Sequence, residues 1–327
     1  MRLVVVVLVG ALLWMVWWVI GQIAYEKGLA AWIEDRRNDG WSANYGELNT
    51  VGFPSRFDTT VTDVALLDPQ SGVAWTAPFV QFLSLSYRPT RVIAVLPHAH
   101  ALSVAGETVA IHHDDARASI FLDASTSLGL DGARLVVEAL EARSDAGWTF
   151  ALTQGRGAAE RVEAAVDTYR LGVEVSDIEP PEPLRAFLDP SRDLADTVSR
   201  LHLDATVELD GPLDRAAAES GLPALKRIDL ADLSIDWGGV ELAARGELIV
   251  DSTGRPDGTL LVTTSDWKRL LRMAVETGLV SLDATGALET AFGVIETSDG
   301  SLELPLAFGE GLMNLGPIPL GPAPVLR

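Results

Sequence analysis

The chain contains no cysteine. That removes disulfide staples, thiolate metal sites and a cysteine nucleophile, while leaving the compartment undecided. Basic residues are scarce as well: 25 Lys and Arg stand against 46 Asp and Glu, a formal net charge of −21. So acidic a surface repels nucleic-acid phosphates and gains nothing from counterion release, which argues against a nucleic-acid partner. It also repels anionic headgroups, so charge alone does not hold the body to a membrane. Catalytic signatures are missing too. There is no G-x-S-x-G, no P-loop and no H-E-x-x-H, and Gly155-Arg156-Gly157 lacks the third glycine of a dinucleotide fingerprint. No catalytic residue and no cofactor is assigned, and the expectation is a protein that is not an enzyme.

What the sequence does have is one long apolar run. Residues 3–20 hold no charge, no proline and one glycine. At about 1.5 Å per residue such a run crosses a hydrocarbon core as a helix, since lipid offers the backbone no other hydrogen-bond partners. Its length exceeds the core of a cleavable signal, and Gln22 and Ala24 make a poor small-x-small cleavage site. Residues 1–24 are therefore read as a retained anchor, with residues 25–40 as a juxtamembrane helix. Trp14, Trp17 and Trp18 crowd its distal half and are the candidate membrane-interface residues. With Arg2 on the inner side, the layout is that of a signal anchor whose body lies in the periplasm, fixed to the inner membrane. Tyr25, Leu29 and Trp32 form an apolar stripe, expected to pack onto the body, and Gly40 ends the helix.

Beyond Trp41 the hydrophobic period changes from helical to two. Phe57, Thr59 and Val61 alternate, then the phase slips before Val64 and Leu66, which predicts a bulge. Short strands at near-regular spacing follow, separated by turn pairs such as Ala105-Gly106 and Ala146-Gly147. The expected class is α+β and β-rich: an N-terminal transmembrane helix, then meandering antiparallel sheets with a few short helices. Short helices are predicted at 157–167, 184–188 and 194–201, and a well-capped one at 265–277. The proline cluster Glu179-Pro180-Pro181-Glu182-Pro183 suggests a first β-rich unit at 41–178, a connection at 179–200 and a second unit at 201–327. Proline in the tail 315–324 confines it to a sheet edge.

Four of the five histidines fall between positions 98 and 113. If Ala105-Gly106 is a two-residue turn, paired residues sum to 211. His98 then faces His113, with His100 two residues along on the same face. His98, His100 and His113 are thus the candidate metal ligands, although neutral surface imidazoles explain the cluster equally well and no metal site is assigned. The stretch 251–258 lacks the glycine and the bidentate glutamate of a calcium loop and reads as a hairpin turn.

Several stretches taken together resemble a known family: Val51-Gly52-Phe53-Pro54-Ser55-Arg56-Phe57-Asp58, then residues 91–97, 116–120 and 254–258, and the closing 315–320. In this order they look like the alphaproteobacterial family of unknown function DUF2125. That resemblance implies no activity. Its layout, an anchor followed by long β-rich sequence, is similar to AsmA-like envelope proteins with lipid-handling β-grooves, an analogy at the level of fold. The reading is an uncharacterised, non-catalytic envelope factor binding lipid or another apolar ligand. The alternative is a scaffold for other envelope proteins.

Overall fold

The computed structural model describes residues 2–165, 167–298, 300–316 and 318–326. Strand accounts for 51% of it, so the β-rich class read from the periodicity holds. The chain divides into two compact units. The first takes the described residues up to Ala124 together with Ala133–Gly147; the second takes Ser125–Gly132 together with the described residues from Trp148 onward.

In the first unit the apolar run and the predicted juxtamembrane helix form one continuous helix, α1 (Arg2–Asn38). Its early residues, Leu3 to Leu13, are exposed apolar side chains with nothing packed over them. It stops at Gly40, whose φ of +91° only glycine adopts cheaply. The Gly40 amide donates to Arg37 and the Trp41 amide to Arg36, a bonding pattern that closes the last turn.

The nine strands of this unit are β1 (Ser42–Asn44), β2 (Leu48–Val51), β3 (Arg56–Asp68), β4 (Val73–Leu85), β5 (Arg88–Val95), β6 (Ala99–Val104), β7 (Glu107–His112), β8 (Asp115–Leu122) and β9 (Leu130–Ser144). All pairing is antiparallel. β1 and β2 both pair with β3, and β3 pairs with β4 along nearly its whole length. β4 pairs with β5 near one end and with β6 near the other. β5 then pairs with β8, β6 with β7, and β7 with β9.

The predicted bulge before Val64 is instead a crease. The β3–β4 register does not slip: Thr62 faces Phe79 and Val64 faces Ala77. The side-chain phase changes because Asp63 takes φ +49° opposite Pro78, which has no amide to donate. The same level is interrupted in the next strands. Pro97 separates β5 from β6, the two residues His113 and Asp114 separate β7 from β8, and Ala139 in β9 has φ +50°.

α1 runs along this sheet in step with β3. Trp18 meets Arg56, Gly21 meets Phe57, Tyr25 bonds Ser84 opposite Phe57, and Arg37 Nε donates to the Ala43 carbonyl. The closest approach is at Gly21, where a Cβ would lie 2.2 Å from the Phe57 ring. No other residue type fits there without moving a ring that is 1% exposed.

The second unit is a longer meander with helical excursions. Its strands are β10 (Thr149–Arg161), β11 (Thr168–Ile178), β12 (Val198–Leu209), β13 (Leu225–Trp237), β14 (Val240–Val250), β15 (Pro256–Thr264), β16 (Leu302–Gly309), β17 (Leu312–Leu315) and β18 (Ile318–Pro322), each antiparallel to the next. α2 (Glu182–Leu188) follows β11, α3 (Arg215–Ser220) follows β12, and α4 (Trp267–Glu276) and α5 (Leu282–Ile295) lie between β15 and β16. The proline cluster lies inside this unit and leads into α2. Pro317 of the tail lies outside the described residues.

Two predicted helices, 157–167 and 194–201, do not form among the described residues, and part of each is strand. Residues 157–161 continue β10, with Gly157 facing Val173 and Arg161 facing Tyr169, and a turn follows before Thr168; Val166 lies outside the described residues. The Ala-Glu-Arg composition favours helix locally, but ladder pairing with β11 overrides it. Likewise 198–201 opens β12, pairing with β11 and β13. α4 forms as expected: the Asp266 carboxylate accepts from the Arg269 amide and Gly278 follows the last turn. α4 and α5 bury Trp267, Leu271 and Phe292 against Leu302 and Leu304 of β16, around a cavity of about 170 Å³.

The fit of Gly21 against Phe57 makes a direct test. Gly21→Val is expected to cost about 1–3 kcal/mol through overpacking, and Phe57→Ala about 3–5 kcal/mol through the cavity it leaves. Both are read from thermal unfolding of the full chain in detergent. Protease cutting near residues 38–41 should rise in parallel as the helix loosens.

Candidate functional site

The site begins with three indoles. Trp14 Nε1 donates to the Pro54 carbonyl at 2.8 Å, Trp17 Nε1 to Ser86 at 2.9 Å and Trp18 Nε1 to Arg56 at 2.8 Å. The turn 52–55 and the turn 86–87 lie at the same end of the sheet, because Arg56 pairs with Leu85. The three candidate interface tryptophans thus fasten α1 to the sheet, a role that no local pattern of residues announces.

Next along the helix is a polar layer. The Tyr25 hydroxyl donates to the Pro89 carbonyl and accepts from Ser84 Oγ, both at 2.7 Å. Glu26 Oε1 accepts from the Thr50 amide at 3.0 Å. The buried Thr50 and Thr59 hydroxyls bond each other at 2.8 Å. Every polar group in this layer has a partner, as buried groups require.

Beyond it α1 and the sheet diverge around a cavity of about 490 Å³. Leu29, Trp32 and Ile33 line it from α1, and Val61, Val64, Val80, Phe82 and Leu96 from the sheet, with Asn44 and Tyr45 its polar contributors. The Tyr25-Leu29-Trp32 stripe does face the body as expected, with Leu29 and Trp32 walling the cavity. That volume is within the range of small-ligand sites.

Trp75 joins the cavity to the histidines. Its ring lines the volume, and its Nε1 donates to His100 Nδ1 at 3.1 Å. The register expected for this hairpin is found: Ala99 faces His112, and the His113 amide bonds the His98 carbonyl at 3.0 Å. His98, His100 and His113 come together, with ring centroids 6.0 Å apart for His98–His113 and 5.5 Å for His100–His113. They do not form a ligand set. His98 Nδ1 is turned to the His113 carbonyl and His100 Nδ1 is held by Trp75. Among the described residues no group of three His, Cys, Asp or Glu is placed to hold a metal ion. The His113 ring is buried, and neither nitrogen makes a well-formed hydrogen bond, although the Pro97 carbonyl approaches it.

Burial, then the neighbouring His113 and His112, holds His100 below the ordinary imidazole pKa. Burial, then His98, does the same for His113, against an opposing pull from Asp115 and Asp114. Both effects favour the neutral forms of His100 and His113, which pack at the crease.

The match to a protein-family model spans residues 18–324, and the model describes an uncharacterised protein conserved in bacteria, DUF2125. The chain belongs to the DUF2125 family. The match begins at Trp18, so Trp18, Gly21, the polar layer and the cavity of this DUF2125 chain lie within the family's shared extent, whereas Trp14 and Trp17 precede it. Among curated proteins and among solved structures, none is detectably similar to it.

The lowered imidazole pKa values set a sign. Below about pH 6.5 the unfolded chain takes up protons that folded His100 and His113 refuse, so their contribution to stability is lost as pH falls through that window. The expected outcome is a lower melting temperature at pH 5.5 than at pH 7.5, with the difference reduced in the double variant His100→Gln, His113→Gln.

Proposed function

We propose that this protein is a non-catalytic envelope factor, held in the inner membrane by α1 with its body in the periplasm, that binds an apolar ligand of the acyl-lipid class. The anchoring part rests on α1, whose apolar stretch is long enough to cross a membrane and is almost wholly uncovered. The ligand part rests on one observation, the cavity of about 490 Å³ between α1 and β3–β5, walled almost entirely by hydrocarbon and aromatic side chains. An apolar pocket of this size has room for an apolar guest, since an engineered cavity of roughly 150 Å³ already binds benzene. The helix proposed to enter the bilayer also walls the cavity, so a lipid site there would lie within reach of its source. The fold-level analogy with AsmA-like proteins points the same way and carries less weight.

A scaffold is the second reading. α5 carries Leu282 and Val294 at 80% and 81% exposure, apolar side chains that a protein partner would cover.

Lipid extraction and mass spectrometry of the detergent-purified full chain separate the two. Bound phospholipid or fatty acid is expected with the wild type. Ala94→Trp, which fills the cavity from β5, should lose most of it while keeping the melting temperature. Equal lipid content in both proteins would remove the cavity as the site.

A further inference from the structure

We propose that the end of the first unit's sheet is itself a membrane-contact surface, with the turn 51–56 and the turn 85–88 seated in the headgroup and acyl boundary beside α1. This rests on the anchoring reading above and concerns a part of the body that the anchor alone does not place.

The first argument is length. The apolar run between Arg2 and Gln22 is just long enough to span: residues 3–20 rise about 27 Å, against a hydrocarbon core of about 30 Å. No turn of it can be spared for water. Yet the body grips that same run at Trp14, Trp17 and Trp18. Helical side chains lean toward the N-terminus, which carries the indoles deeper still. The carbonyls they bond, on Pro54, Ser86 and Arg56, must lie at the same depth.

The second argument is how those turns are built. Backbone brought to the edge of lipid needs its polar groups satisfied within the protein. Pro54 accepts from Trp14 and from Ser86 Oγ, the Ser86 carbonyl from Trp17, and the Arg56 carbonyl from Trp18. The Ser86 amide donates to Ser55 and the Arg56 amide to Gly52. Phe53 and Tyr87, at 51% and 57% exposure, stand out from these turns. Aromatic rings in that position suit a membrane interface.

The third argument is charge. In a chain with 46 acidic residues, neither stretch 51–56 nor stretch 85–88 has any, and each supplies an arginine: Arg88, which is exposed, and Arg56, whose Nε pairs with Asp58 at 3.0 Å. Arginine at this level reaches headgroup phosphate while its stem stays in the apolar layer.

Depth measurement by spin labelling tests this cleanly, because the chain has no native cysteine to compete. The full chain is reconstituted in phosphatidylethanolamine–phosphatidylglycerol vesicles with one nitroxide at a time on Phe53→Cys, Tyr87→Cys, Leu8→Cys in the apolar run or Gln70→Cys in the far turn between β3 and β4. Labels at 53 and 87 are expected to relax with oxygen and to be several-fold less accessible to a water-soluble nickel chelate than the label at 70. Labels at 53 and 87 as open to nickel as the one at 70, with the label at 8 in lipid, would overturn the contact surface and leave the anchor standing. A label at 8 open to nickel would bring down the anchor and the surface together. Unfolding curves matching the wild type confirm that each labelled chain is folded, and the two tip labels report independently.

Discussion

One contact governs how the first unit is arranged: the seating of Gly21 of α1 on the ring of Phe57. A helix that is apolar along its first half has no reason of its own to lie against a sheet, since lipid covers it as well. What fixes it is local. The missing side chain at Gly21 lets backbone and ring close together, and the indoles on one side and the Tyr25–Glu26 layer on the other supply hydrogen bonds that only this placement satisfies. From that point onward α1 follows β3, so everything it does farther along, including walling the cavity with Leu29 and Ile33, is set by this one fit.

The cavity exists because two rows of the structure are out of match. α1 rises smoothly, whereas β3 changes face at Asp63. Val61 and Val64, three apart rather than two, therefore both turn toward the helix and leave a gap that neither fills. The histidines sit at the same level for a related reason. Pro97 interrupts the ladder there, and imidazoles occupy a position where the sheet has fewer amide partners to offer. Burial beside neighbouring imidazoles favours the neutral forms of His100 and His113.

Much of this was legible in the residues, and the exceptions have physical causes. The run 3–20, the β period after Trp41 and the hairpin register that sums to 211 all follow from local pattern, and the structure agrees. The slip before Val64 was visible but not its cause, because one proline opposite one left-handed residue mimics an inserted residue in the burial phase. The stretches 157–161 and 198–201 look helical alone and are strands only because β11 lies beside both. α5 left little trace, as its apolar residues surround glycines at 286 and 293 with no clean stripe. The cavity was not legible at all: the stripe Tyr25-Leu29-Trp32 reads the same whether the facing side chains fill the space or stop short of it.

The crease also says how this sheet yields. Along a strand the covalent chain resists bending, and across strands the ladder does. Where Pro78 and Pro97 donate no amide hydrogen, that second resistance is lower along a single line, although the His113 amide still bonds the His98 carbonyl and the Asp114 amide the Glu138 carbonyl at this level. The two leaves of the first unit are therefore joined by fewer ladder bonds along that line than the strands within either leaf, like pages held at a spine. The cavity straddles it, with Val64 and Trp75 on one leaf and Val61 and Val80 on the other, so its capacity depends on the angle between the leaves as well as on the side chains that line it.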